Sequence, residues 1–86
     1  MKSGKEIAMK EIILISYCAA WGFEKNAVRL AEIIEMQFGR ARQTIKVEPS
    51  DITGSFEVYQ NDELIYSKIR KGRLPQPEEI LKLIKY

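Results

Sequence analysis

Histidine is missing from this 86-residue chain, and cysteine and tryptophan occur once each. Without histidine, neither a Ser-His-Asp nor a Cys-His catalytic arrangement can be assembled within it. A zinc site would have to rest on carboxylates, a donor set that structural zinc sites rarely use. A single cysteine cannot form an internal disulfide, so nothing in the sequence requires an oxidising compartment. The spacing G-x-x-x-x-G-K-[ST] that cradles phosphates does not occur. The longest aliphatic run, at 12–15, falls far short of the roughly 20 residues of a membrane helix, and the N-terminus has no apolar signal core. A formal net charge of +2 is too small to argue for nucleic acid. A cytoplasmic single domain with no membrane and no nucleic-acid partner is the expectation. Cys18 is its one strong nucleophile.

What is present is ordinary for a soluble globular protein: 45% hydrophobic and 30% charged residues. A chain of this size buries only about 60–65% of its unfolded surface, enough for one small domain. Residues 1–8 are polar and lysine-rich and read as a disordered extension, with the domain running over 9–86. Ile12, Ile13, Leu14 and Ile15 form a run without alternation, which predicts a central strand buried on both faces. Ala27, Leu30, Ala31, Ile34 and Phe38 then recur at helical spacing, with Lys25, Arg29, Glu32 and Glu35 off that face. Gly39 suits the position just past a helix end. Ile45 and Val47 flank Lys46 in a short strand that Pro49 should end. Two more strands, 55–60 and 63–69, flank Asn61-Asp62, which suits a two-residue hairpin turn. Pro77 opens a last helix with Glu78 and Glu79 in its first turn and Lys82 and Lys85 in its last. The order is β-α-β-β-β-α, an α/β thioredoxin-like layout with a mixed four-stranded sheet and two helices.

Cys18 falls between the first strand and the first helix. A thiolate there is favoured by unpaired backbone N–H groups and the positive helix end, which lower a thiol pKa from its ordinary value of about 8.5. A free cysteine is also a common buried apolar residue, and both roles stand at this point. Trp21, three residues on, holds the place where a Cys-x-x-Cys protein carries its resolving sulfur. An indole can pack over Cys18, but it cannot act as a thiol.

Three segments together, ISYCAAWGF, TGSFEVYQNDELIYSK and GRLP, resemble the selenoprotein W family, the small thioredoxin-like Rdx proteins. The resemblance covers nearly all of the chain from Met9. In that family the first segment carries Tyr-Cys-x-x-selenocysteine or Tyr-Cys-x-x-Cys, and Trp21 departs from it at the reacting position. It implies a thiol or selenol redox protein whose catalytic positions are Cys18 and Trp21. Thr53 and Gly54 would form a substrate-facing loop, although the cis-proline that thioredoxins place there has no counterpart, Pro49 lying too early. Glutathione or a protein thiol is the implied reducing partner, with no bound cofactor and no metal. Selenocysteine is encoded by UGA and tryptophan by UGG. Position 21 is therefore either a natural selenocysteine replaced here by tryptophan, or a natural tryptophan in a member that keeps one thiol. A non-catalytic interaction module on the same fold is the alternative.

The remaining features have plainer readings. Lys68, Arg70, Lys71 and Arg73 form a basic run beside Tyr66; with no aromatic stacking platform nearby, a solvated strand end is expected. Phe23 suits either the core or an apolar patch around Cys18 that a protein partner could cover.

Overall fold

The computed structural model describes residues 10–86; the expected extension at 1–8 lies outside them. The β-branched run becomes strand β1, Glu11–Cys18. Helix α1, Glu24–Phe38, follows it, and strand β2, Gln43–Ser50, lies parallel to β1. Strands β3, Phe56–Gln60, and β4, Glu63–Ser67, form the expected hairpin, with β3 antiparallel to β1. Two further helices complete the fold: α2, one turn over Lys68–Lys71, and α3, Pro77–Leu83. The sheet runs β2-β1-β3-β4, which puts β1 at its centre and the C-terminal end of β1 beside the start of β3.

One face of this mixed sheet carries the core. Ile13, Ile15 and Tyr17 from β1, Phe56 and Val58 from β3, and Tyr66 from β4 cluster with Ala27, Leu30 and Ile34 of α1 and Ile80 of α3. Among the described residues the second face is open at the start of β1 and closes only toward Cys18, contrary to the expectation for β1: Ile12 is 44% exposed and Cys18 2%. Both long helices contribute to the same cluster, so a run of unbroken apolar residues here reports β-propensity rather than burial on two sides.

Other boundaries shift for local reasons. β2 continues through Pro49, opposite Tyr17, because an edge strand tolerates a residue without an N–H. β4 stops at Ser67, and the basic run coils into α2, closed by Gly72 at φ 81. Lys85 lies beyond α3 and instead donates its N–H to Gln60 Oε1 at 3.0 Å. There Gln60 also donates to Glu11 at 2.9 Å, and the Tyr86 hydroxyl donates to Gln43, fastening the last residues to the sheet end remote from Cys18.

The hairpin turn depends on Asn61 and Asp62 at φ 51 and 71, the left-handed pair of a type I′ turn. Asn61 also accepts the Ile12 N–H on Oδ1 at 2.9 Å, tying the turn to β1. Asn61→Ala should therefore lower stability by about 1–2 kcal/mol, the cost of a left-handed alanine together with the lost acceptor. Asn61→Gly should lose less. Urea denaturation of the three proteins checks this, and an alanine variant as stable as the parent would contradict the role given to the turn.

Candidate functional site

The polypeptide leaves β1 at Cys18 and makes a 3-10 turn, Ala19–Trp21, before α1 begins. Gly22 reverses the chain at φ 77, and its N–H donates to the Ala19 carbonyl at 3.0 Å. Cys18 therefore does not sit on the first turn of α1, as the sequence suggested. The donors that meet its sulfur are local. Burial pushes the Cys18 thiol up, but the dipoles of nearby backbone N–H groups of Gly54, Trp21, Ala20 and Ser55 together hold its pKa below the usual thiol value. Two come from the 3-10 turn and two from the 51–55 loop that leads into β3. The side chain itself is 2% exposed.

The 51–55 loop is docked on β1. Cys18 N–H donates to the Ser55 carbonyl at 2.8 Å, and Ser55 N–H to the Ile52 carbonyl at 3.2 Å. Gly54 is buried at φ 73, and Thr53 beside it is exposed. Of the two loop residues singled out in the sequence, Gly54 meets the cysteine and Thr53 faces solvent.

Trp21 is 55% exposed, with one face of its indole laid on Gly54. A Cβ on that glycine would stand 3.0 Å from Cη2 and 3.2 Å from Cζ3 of the ring. The indole meets Phe23 edge-on, centroids 5.9 Å apart, and Phe23 meets Phe56 in the same way at 6.3 Å. Phe23 is thus half-buried between core and surface, joining the two roles open to it in the sequence. The Lys68 ammonium lies 5.2 Å from the Trp21 centroid and 5.7 Å from that of Phe23, a double cation–π contact.

Lys68 and Ser55 are the site members that sequence reasoning passed over. Lys68 reads as one charge of a solvated run, and only the turn into α2 brings it over the rings. The other end of that run is structural: Arg73 forms a two-pronged pair with Glu79 at 2.9 Å on each arm, and Tyr66 donates to the Arg73 carbonyl at 2.7 Å. Among the described residues, no three His, Cys, Asp or Glu side chains gather as metal ligands do. No helix among them is long and apolar enough to cross a membrane.

A four-stranded mixed sheet backed by helices, with a cysteine at the end of its first strand, defines a thioredoxin-like protein. Residues 12–86 match the model of the Rdx family, and the chain belongs to that family. It is 30% identical over 74 residues to migration and invasion enhancer 1 of Bos taurus, covering 85% of this chain and 61% of that protein. A thioredoxin reductase-like selenoprotein T homolog of Caenorhabditis elegans is 56% identical over 32 residues, 37% of this chain and 13% of its own length. The chain thus spans about three fifths or less of these relatives. A selenoprotein W-related protein from Vibrio cholerae superposes with a TM-score of 0.78 at 20% identity, over 87% of this chain and 92% of its own. A Bordetella parapertussis protein does so at 0.81 and 19%, over 87% and 94%. These two likenesses establish the thioredoxin-like fold.

Proposed function

We propose that Cys18 is the reacting thiolate of a thiol–disulfide exchange protein. The observation that carries this reading is the place of Cys18 at the end of β1, where main-chain N–H groups of the 19–21 turn and the 51–55 loop lower its thiol pKa. A thiolate attacks disulfides and a thiol does not, and fixed N–H groups favour the anion without needing a basic side chain. If the natural codon for position 21 is UGA, its selenolate attacks the oxidised substrate and Cys18 resolves the intermediate. With Trp21 in place the chemistry is that of one thiol. Cys18 attacks the glutathione sulfur of a mixed disulfide, the S–S bond breaks, and the substrate leaves as its thiolate. A second glutathione thiolate then attacks the Cys18–glutathione disulfide, restoring Cys18 and releasing oxidised glutathione. Thr53 and Gly54 border the approach, and the cytoplasm supplies the reducing thiol.

Alkylation by iodoacetamide across pH tests the thiolate directly. The native protein should reach half-maximal rate at a lower pH than the same chain unfolded in urea, where Cys18 titrates near 8.5. Because the folded pKa is depressed, the native rate advantage is largest below that value and shrinks above it. Charged residues around Cys18 include Lys68 over Trp21 and, opposite Ser16 on the two flanking strands, Glu57 and Glu48. Glu57 accepts from Ser67 and Tyr59. Native midpoints at or above the unfolded one would overturn the reading.

A second reading draws on the exposure of large apolar side chains near the site: Trp21 at 55%, Ile52 at 55% and Ile69 at 60%. A non-catalytic interaction module would present such a patch to a protein partner and leave Cys18 inert. Absence of alkylation in the native state favours this reading. The natural codon for position 21 decides the rest: UGA fits a selenoenzyme, and UGG fits a tryptophan kept by selection.

A further inference from the structure

Ser55 is 1% exposed, and its Oγ has no hydrogen-bond partner among the described residues. A buried hydroxyl without a partner costs free energy, so each one calls for an account. The sheet fixes where this one points. Tyr17 stands opposite Phe56 across β1 and β3, and both side chains enter the core. One residue further on, Cys18 and Ser55 are joined by the 2.8 Å bond between N–H and carbonyl. Ser55 immediately precedes β3, and this bond carries the ladder one pair beyond Tyr17 and Phe56, so continued alternation turns these two side chains to the other face together. They are cross-strand neighbours, with Cβ atoms about 5 Å apart. The hydroxyl is not bonded to the sulfur, and an oxygen added to Sγ would extend an acceptor toward this neighbour.

Two further facts indicate which atom that is. Cys18 is 2% exposed beneath the Gly54 loop on which the indole lies, so a small oxidant reaches it more readily than a bulky disulfide. The chain has a single cysteine, so a sulfenic acid at Cys18 finds no second sulfur within it to condense with. The lifetime of such a species then depends on the donors around it.

We propose that Cys18 is oxidised by hydroperoxides and that Ser55 Oγ donates the hydrogen bond that holds the sulfenate oxygen. The Cys18 thiolate attacks the distal peroxide oxygen, an S–O bond forms and the O–O bond breaks. The departing alkoxide, or hydroxide from hydrogen peroxide, takes the hydroxyl proton and leaves as an alcohol or water. Sulfur loses two electrons and the peroxide gains them. The inference rests on the thiolate reading of Cys18 given above. Ser55 acts here as a donor to the product of the step, paired only after Cys18 has been oxidised.

The test compares the reduced wild-type protein with Ser55→Ala and Ser55→Thr after addition of equimolar hydrogen peroxide. Dimedone added at intervals traps sulfenate, and intact mass measures both the trapped and the over-oxidised species. Loss of one hydrogen bond to a charged oxygen should shorten the sulfenate half-life about tenfold in Ser55→Ala. Ser55→Thr, which keeps a hydroxyl, should recover most of it. Reduced Ser55→Ala should melt no lower than wild type, since its hydroxyl has no bond to lose. An unchanged half-life in Ser55→Ala overturns the proposal, as does a lower melting temperature of that variant while reduced. Wild-type protein that reacts with iodoacetamide but yields no dimedone adduct overturns it too, leaving the thiolate reading intact. Failure of both reagents on the wild-type protein overturns the two together.

Discussion

Trp21→Cys should close an internal disulfide with Cys18 on treatment with oxidised glutathione, detected as a loss of two hydrogens in the intact mass. The wild-type chain under the same treatment should gain one glutathione instead. The backbone is already arranged for this change. Residues 18 and 21 are the two ends of the 3-10 turn, and the Trp21 N–H is among those that lower the Cys18 pKa. A separation of three in such a turn places Cα atoms about 5–6 Å apart, inside the range a disulfide spans. The indole is 55% exposed, so its removal opens no core cavity and the variant should fold. Glutathione should appear only in passing on the variant, because the second thiol displaces it faster than a second glutathione does. A Trp21→Cys protein that accumulates stable glutathione adduct, or stays reduced, would show that the turn does not bring the two positions together.

Gly54→Ala carries the other large effect, a loss of about 2–5 kcal/mol of stability. Two causes add. A non-glycine residue at φ 73 pays about 1–2 kcal/mol. The new methyl also stands 3.0 to 3.3 Å from three atoms of the Trp21 ring, and overpacking of this kind costs about 1–3 kcal/mol. Phe23 and Lys68 hold the ring from other sides, so it does not swing away without losing those contacts. Trp21→Ala should remove the second cause and leave the first. Urea denaturation of the four proteins in the cycle measures the difference, and a coupling of about 1 kcal/mol or more is expected. Strict additivity would mean that the indole moves aside at no cost. A further consequence concerns position 21 itself: Gly54 has a steric reason to be glycine with tryptophan there, and a backbone reason with any residue.

The fold was legible where side-chain pattern and backbone requirement coincide. The helical spacing of Ala27, Leu30 and Ile34 gives α1, and Asn61-Asp62 gives the hairpin because few residues accept two successive left-handed conformations. The unbroken aliphatic run of β1 does not report two-sided burial, since Ile12 lies exposed and, among the described residues, the helix residues of the core cluster all pack on the opposite face. Pro49 reads as a strand end because sequence does not reveal that β2 lies at an edge. Cys18 and Trp21 were visible as residues of uncommon type at a meaningful spacing. The cradle around Cys18 was not, because it is made of main-chain N–H groups, half of them from a loop more than 30 residues away. Ser55 drew no notice for a related reason: an unpaired hydroxyl is a property of packing, and a serine before a strand looks like any other.

The contact of Lys68 with Trp21 has a practical consequence. The chain contains a single tryptophan, and its ring rests on the loop that supplies two of the N–H donors to Cys18. Indole emission is sensitive to a nearby cation and to solvent, so the fluorescence of this protein comes from a lamp mounted at the reacting sulfur. Oxidation or adduct formation at Cys18 can be followed by stopped-flow emission without a label, and Lys68→Met supplies the control in which the neighbouring charge is gone.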